Sequence, residues 1–292
     1  MEKRKNKWLS LFLAPYAIGA FAFILYPLFY SLYLSFTNRN LFGGGKFIGI
    51  KNFEYCFTNA AFLKSLSNTA YYALLVVPLE VGIALIFALQ LYKSDFLGAR
   101  FFRSVTFMPY VFSLVSIGLV WSWLFSPGFG FLSQVCLLFK WEFPSFLSDT
   151  KLAMPGVAIA TLWRNIGYYT TIFIAGLQGV PEDLLEAARI DGANPRQLFR
   201  HITFPMISPT IFFSLVVATI WAFQVFDLTY TMTKGGPARA TLSTGLHIYN
   251  TAFQDNNIGR ASAMSWVLLL IILILTGLYF LGQKRWVHYE NE

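Results

Sequence analysis

The chain has 292 residues, of which 56% are hydrophobic and only 12% are charged. Soluble domains carry roughly 25% charged residues, so this composition excludes an ordinary soluble protein and indicates one that crosses a membrane several times. The length suits about six helices of about 20 residues with their loops. The net charge of +8 requires no nucleic acid, because basic residues beside anionic lipid account for it.

Charge-poor apolar runs predict an all-α polytopic membrane protein with six transmembrane helices. The predicted spans are Trp8–Asn38, Thr69–Tyr92, Val105–Ser126, Leu152–Leu177, Pro209–Tyr230 and Ala261–Gly282. With both termini inside, the short inside segments carry more Lys and Arg than the longer outside loops, which favours that orientation. Cys56 and Cys136 both fall in loops predicted outside, and whether they pair is left open.

Two charged residues interrupt the apolar runs. Glu80 lies in the second predicted span and Arg164 in the fourth, at matched depth near the middle of the membrane. A lone charge there costs about 3 kcal/mol on insertion scales, so a function or a partner is expected. One interpretation is a structural charge pair, and the other is that Arg164 lines a substrate pathway.

Sequence motifs for chemistry on this chain are missing. The sequence contains no Gly-x-x-x-x-Gly-Lys-Ser/Thr loop, so we expect that it does not hydrolyse ATP itself. It has neither a His-Glu-x-x-His nor a Cys-x-x-Cys pattern, and its three histidines are scattered. We therefore expect no enzyme activity, no metal site and no cofactor on this chain, and an energised function would need a partner.

The segment between the fourth and fifth spans is the most informative part of the chain. Residues 180–209 are polar and helix-forming, although a protein that only crossed the bilayer would use a short turn here. Pro181 suits a first helical position, and Gly192 suits the left-handed residue that ends a helix. Asn194 can cap a second short helix that begins with Pro195. The segment predicts two short helices available to a soluble partner.

The spacing of this segment resembles the EAA motif of binding-protein-dependent ABC importer permeases. Glu186-Ala187-Ala188 is followed by Gly192 after three residues and by Ile-x-Phe204-Pro205 after nine more. The family pattern has Leu where this chain has Phe204, which is an apolar exchange. In the family this loop is a coupling helix that docks into a cytoplasmic ATPase. The resemblance thus implies contact with an ATPase by Glu186, Ala187, Ala188, Gly192 and Pro205.

Shorter patterns extend the resemblance over most of the chain and point to the carbohydrate subfamily, of the maltose and glycerol-phosphate type. They include Ala14-Pro15, Tyr26-Pro27, Asn68-Thr69, Trp163-Arg164-Asn165, Phe226-Asp227-Leu228, Thr233-Lys234-Gly235-Gly236-Pro237, Thr241 and Tyr249. The resemblance implies the type I ABC importer permease fold. It divides the chain into an N-terminal tail, first helix and external loop (1–67), a permease core with coupling loop 178–208 (68–282), and a C-terminal tail (283–292).

The resemblance also implies partners and a location. We expect a second homologous permease, two ATP-binding subunits that hold ATP and Mg, and an extracytoplasmic solute-binding protein. The location would be the prokaryotic cytoplasmic (inner) membrane, with both termini cytoplasmic. The alternatives left open are an importer of a polar non-sugar solute such as glycerol phosphate, and a secondary transporter. The sequence names neither the solute nor the partner subunits.

Sugars present hydroxyl edges and apolar faces, so a pathway for them combines aromatic rings with amides and charges. Candidate pathway residues on the fourth and fifth spans supply that combination: Trp163, Arg164, Asn165, Tyr168, Trp221, Gln224 and Asp227. Helical spacing places Trp221 with Gln224, and Gln224 with Asp227, on a shared face. Aromatic residues are common in membrane proteins, so packing remains the alternative role for each ring.

Overall fold

The computed structural model describes residues 12–92 and 98–288, and its regular structure is helical. The helices are α1 (Phe12–Ser35), α2 (Lys51–Thr58), α3 (Ala60–Tyr92), α4 (Ala99–Val111), α5 (Leu114–Leu124), α6 (Phe131–Leu138), α7 (Ala153–Gln178), α8 (Glu182–Ile190), α9 (Pro195–Phe223), α10 (Asp227–Thr233), α11 (Thr244–Tyr249) and α12 (Ile258–Gln283). The predicted first-span residues Trp8–Leu11 and the last four residues of the predicted C-terminal tail lie outside the described residues.

Four helices, α1, α3, α9 and α12, are long and apolar enough to cross a membrane. Helices α4 and α5 form a fifth span if their bent pair counts as one. Helix α7 has 26 residues and is about 39 Å long at 1.5 Å per residue, which is enough to cross a membrane. Its polar residues, among them Arg164 and Asn165 near its middle, lower its hydropathy, so it is not among the four helices identified by length and composition. Counting α7, the structure agrees with the predicted all-α membrane fold of about six spans.

The third predicted span, Val105–Ser126, is wrong as a single straight helix. Helices α4 and α5 meet at an angle of 102°. Pro109 lies inside the last turn of α4 and has no N–H to continue the ladder, and Phe112 and Ser113 are extended. The chain therefore turns sharply within a segment for which hydropathy predicts one continuous helix.

The fifth predicted span is also wrong at its end, because α9 stops at Phe223 and Asp227 begins the separate helix α10. In the backbone between α9 and α10, the Val225 carbonyl accepts a hydrogen bond from the Ser243 hydroxyl at 2.8 Å. Irregular backbone at membrane depth is tolerated where the protein itself satisfies it. The second span, in contrast, is longer than predicted, because α3 begins at Ala60.

The chain forms two compact units. One combines the residues up to Leu63 with His247–Leu270. In it, the Asn52 amide donates to the carbonyls of Ser35 at 2.8 Å and Thr37 at 2.7 Å, which ends α1 in a satisfied turn. The most apolar stretch of α1 buries none of its residues in the described chain.

The second unit combines Lys64–Leu246 with the residues from Ile271 on and holds the candidate site. Within it, α4 packs closely on α7 at Gly167. A Cβ on Gly167 would collide with the Thr106 carbonyl and would lie 2.7 Å from the Phe107 nitrogen. Without a strong hydrophobic force between helices in lipid, such small residues allow backbones to approach and dispersion contacts to form.

Both cysteines are free thiols. Cys56 on α2 is fully buried, and this burial raises the pKa of its thiol to about 11. Because the thiolate is the reactive form, Cys56 is a packing residue rather than a reactive one.

A leucine at Gly167 should destabilise the second unit, because its side chain has no room against the α4 backbone. We expect a cost at the upper end of the ~1–3 kcal/mol that overpacking produces. The measurement is the thermal unfolding midpoint of the purified chain in detergent. Gly82→Leu on α3 is the matched control, since a Cβ there meets nothing within 4 Å. Equal midpoints for the two variants would contradict this account of the α4–α7 contact.

Candidate functional site

The predicted docking loop is present as two short helical segments. Helix α8 starts with Glu182 and Asp183 in its first turn, where negative charge favours the helix dipole. Pro181 is the residue before the helix, not its first helical residue as predicted. Gly192 has φ of +86°, the left-handed conformation that a side chain resists. The expected turn after α8 is confirmed.

Asn194 begins the second segment as predicted. Its side chain accepts from the Gln197 N–H at 2.9 Å, and the Gln197 side chain accepts from the Asn194 N–H at 2.8 Å. This reciprocal pair is a capping box, which satisfies two backbone donors at the helix start. Pro195 occupies the first turn of α9, which passes through a π-helical turn at Phe199–Thr203 before its long apolar part. The polar loop therefore leads directly into a long apolar helix.

The loop leaves most of its surface uncovered. Only Leu185 and Leu198 are buried between Pro181 and Arg200. Glu186 and Ala187 are exposed, and Ile190 is 86% exposed. Its charged and apolar residues thus face outward together, as a surface that meets another protein would present them.

A polar cavity of about 300 Å³ lies in the same unit, among α3, α5, α7 and α9 and the segment that follows α9. Its walls include Glu80, Arg164, Asn165, Trp221, Gln224 and Asp227. The structure therefore brings together five of the seven predicted pathway residues and adds Glu80. Gln224 and Asp227 both line it, but a helix break lies between them, so the prediction that these two residues share a helical face is wrong.

The other two predicted pathway residues are placed away from the cavity wall. Tyr168 stacks on Tyr110, with ring centroids 4.4 Å apart. Trp163 makes an edge contact with Trp121 at 5.9 Å. Both rings pack against other aromatic side chains of the second unit.

Arg164 is held by several groups at once. Its Nη1 donates to Asn165 Oδ1 at 2.8 Å, and its Nη2 donates to the Tyr110 carbonyl at 3.4 Å. The guanidinium carbon also lies 4.5 Å from the centre of the Tyr110 ring, which is cation–π geometry. The sequence analysis did not identify Tyr110 as a partner of Arg164. Its position next to Pro109, which predicts a helix break and therefore an exposed backbone carbonyl, was the available signal.

Asn165 lies between the two intramembrane charges. Its Oδ1 accepts from Arg164, and its side chain lines the cavity together with Glu80 and Arg164. Glu80 is 2% exposed, and its Oε1 has no hydrogen-bond partner among residues 12–92 and 98–288. The two charges therefore share one cavity wall, and the hypothesis that they form a pair stays a prediction.

Asn68 and Thr69 on α3 form hydrogen bonds with the segment at residues 239–244, which is distant in sequence. The Asn68 amide donates to the carbonyls of Arg239 at 2.8 Å and Leu242 at 3.1 Å. The Thr244 N–H donates to the Thr69 hydroxyl at 2.9 Å. We call these contacts the Asn68–Thr69 clamp. It ties α3 to the loop that satisfies the end of α9, and so supports the wall of the polar cavity.

Hydroxyls complete the support of the cavity. Tyr72 donates to Thr161 at 2.6 Å, and Thr161 in turn donates to the Val157 carbonyl. Thr233, the last residue of α10, pairs its hydroxyl with that of Thr241 in the following loop at 2.6 Å. In the part of the chain that the structure describes, no three His, Cys, Asp or Glu side chains gather as metal ligands would. The cavity is thus built for hydrogen bonding by neutral groups and three charges.

Comparison with known proteins places this architecture. A family model described as "Binding-protein-dependent transport system inner membrane component" matches residues 80–288. The chain is 35% identical over 283 residues to the sn-glycerol-3-phosphate transport system permease protein UgpA of Agrobacterium fabrum, covering 96% of this chain and 95% of that protein. It is 33% identical to the probable starch degradation products transport system permease protein AmyD of Thermoanaerobacterium thermosulfurigenes, covering 95% and 94%.

Solved structures share the fold. A chain from a bacterial ABC transporter involved in the import of the acidic polysaccharide alginate matches with a TM-score of 0.87 and 19% identity, over 97% of both chains. A second structure of the alginate transporter, in complex with an alginate pentasaccharide-bound periplasmic protein, matches equally well, with a TM-score of 0.87. The family model covers more than half of the chain, and the relatives align over nearly all of it. The chain therefore belongs to the family of inner membrane components of binding-protein-dependent transport systems.

Proposed function

We propose that this chain is the permease subunit of an ATP-driven carbohydrate importer and forms half of its translocation pathway. The observation that carries the proposal is the exposed α8 loop, which has EAA spacing and a left-handed Gly192. A membrane protein that needed no soluble partner would gain nothing by exposing Ile190 and Glu186 beside a rigid turn. A secondary transporter has no use for such a loop.

The proposed assembly follows from the family. The partners are a second homologous permease, two ATP-binding subunits and an extracytoplasmic solute-binding protein. The relative that transports alginate was solved with a periplasmic protein, which supports the last of these. In the proposed orientation both termini and the α8 loop face the cytoplasm of a prokaryotic cell, and ATP and Mg bind only to the partner ATPases.

In the proposed cycle, closure of the ATPases on ATP moves the α8 loop. The motion reaches the pathway because α9 starts at the end of the loop and contributes Trp221 to the cavity wall. Cargo would be released from the binding protein into the cavity and then enter the cell. The permease itself makes and breaks no covalent bond.

The cavity favours an uncharged, hydroxylated cargo. Trp221 offers an apolar face, while Gln224 and Asn165 offer amides. The charges in the wall are two carboxylates and one guanidinium, and that guanidinium already donates to protein groups. A phosphate binds best where free Arg donors converge, so glycerol phosphate remains the second candidate, favoured by the relative UgpA.

Gly192→Val should uncouple the importer without removing it from the membrane. A β-branched residue resists positive φ, so the turn after α8 would distort although its Cβ has open space around it. We expect unchanged amounts of membrane-inserted chain and a loss of ATP-dependent uptake of about tenfold or more, which corresponds to at least ~1.4 kcal/mol of coupling. Uptake by reconstituted liposomes measures this.

Gly192→Asn is the control for that experiment. Asn tolerates the left-handed region far better than Val does, so we expect it to keep most of the transport activity. Full uptake with Gly192→Val would refute the docking role of the loop.

The charges around Asn165 predict a second mutational pattern. Glu80→Gln or Arg164→Met alone should reduce the amount of assembled complex, because breaking a buried pair costs about 3–5 kcal/mol. The double variant should recover much of it, since removing both charges is often near neutral. Complex yield from size-exclusion chromatography is the readout, with Asp227→Asn as the control carboxylate. Additive losses in the double variant would show that the two charges are not coupled.

A further inference from the structure

The larger cavity of the second unit is apolar and has no part in the proposed pathway. It has a volume of about 620 Å³, roughly twice that of the polar cavity, and lies among α3, α9 and α12. Leu74, Val77, Pro78, Leu215, Phe223, Leu275 and Leu278 supply most of its lining. We call it the α3–α9–α12 groove.

The groove offers almost nothing to a polar ligand. Thr219 and Tyr279 are the hydroxyls in its lining, and they are paired at 3.1 Å. The Thr219 hydroxyl also donates to the Leu215 carbonyl at 2.7 Å, so the Tyr279 hydroxyl is the donor of the pair. A sugar placed here would lose its hydrogen bonds to water without replacement, which costs several kcal/mol. The ligand that fits is therefore a hydrocarbon.

The length of the groove selects among apolar occupants. Its lining runs from Leu215 to Phe223 on α9, about 12 Å at 1.5 Å per residue, and from Leu275 to Gly282 on α12, about 10 Å. One leaflet of a bilayer contributes about 15 Å of hydrocarbon, whereas a helix that crosses the membrane needs about 30 Å. An acyl chain matches the groove, and a transmembrane helix of a partner would overrun it.

Two positively charged residues lie at one end of the groove. Gly282 and Trp286 both line it, and Lys284 and Arg285 lie between them and are exposed. This end is anchored, because the His288 N–H donates to the Ser208 hydroxyl at 2.9 Å. Basic residues beside a pocket between transmembrane helices attract anionic lipid headgroups, and Trp favours the same interfacial depth.

We propose that the α3–α9–α12 groove is a binding site for an anionic phospholipid. Its acyl chain lies among α3, α9 and α12, and its phosphate lies beside Lys284 and Arg285. Gly282 lines the groove at that end, and a Cβ built there meets no atom within 4 Å, so a larger side chain would have room to occupy the groove. This site is independent of the cargo and of the α8 loop.

The test measures lipid retained by the assembled complex in native mass spectrometry. The probes are phosphatidylglycerol and phosphatidylcholine with identical acyl chains. The wild-type complex should retain phosphatidylglycerol, and Gly282→Leu should lose most of it because the added side chain fills the groove. Gly277→Leu is the matched control on the same helix, since its Cβ also meets nothing within 4 Å and it does not line the groove.

The headgroup contacts are tested separately. Each basic residue near an anionic headgroup supports about a fivefold preference, so Lys284→Gln with Arg285→Gln should lower the preference for phosphatidylglycerol by on the order of twentyfold. Equal retention by Gly282→Leu and Gly277→Leu would overturn the acyl site. Equal retention of the two lipids by the wild type would overturn the headgroup site. Separation of the permease subunits by Gly282→Leu alone would show that a partner helix occupies the groove.

Discussion

Hydrogen bonding inside a membrane is the constraint on which the rest of this structure depends. Lipid offers no hydrogen-bond partner to backbone polar groups, so an irregular stretch of backbone must be satisfied by the protein itself. The end of α9 illustrates this, because its free carbonyl at Val225 is taken by Ser243. The Asn68–Thr69 clamp holds the same loop from α3. The break in α9 is therefore a supported feature, and it turns Gln224 and Asp227 toward one cavity.

The same constraint separates two kinds of interior space. Where the second unit gathers amides, hydroxyls and charges, its cavity suits a hydroxylated cargo. Where it gathers leucines and pairs its two hydroxyls with each other, the groove suits lipid. The Arg164 guanidinium is stabilised in the polar cavity because it donates to Asn165 and to the Tyr110 carbonyl and lies over the Tyr110 ring. The proposed transport function and the proposed lipid site thus follow from one rule of polar satisfaction.

Local patterns were the part of the structure that the sequence could predict. The turn at Gly192 and the cap at Asn194 depend on neighbouring residues alone, and both are confirmed. The ends of the spans depend on hydrogen-bond partners that are distant in sequence, such as Ser243. Hydropathy contains no information on these partners, so the predicted end of the fifth span is wrong. Composition also could not give the rotation of α7, which places Arg164 in the cavity wall but packs Tyr168 on Tyr110. The meeting of Glu80 on α3 with Arg164 and Asn165 on α7 in one cavity wall depends on the packing of two helices that are distant in sequence.

The most direct measurement asks what the α8 loop touches in the assembled importer. A photo-crosslinking residue at Ile190, which is 86% exposed, would be compared with one at Leu138, which is 82% exposed on α6. The account predicts that Ile190 crosslinks to the ATP-binding subunit and that Leu138 does not. A complex in which Ile190 gives no ATPase adduct, or in which both positions give the same adduct, would contradict the claim that this loop couples ATP hydrolysis to transport.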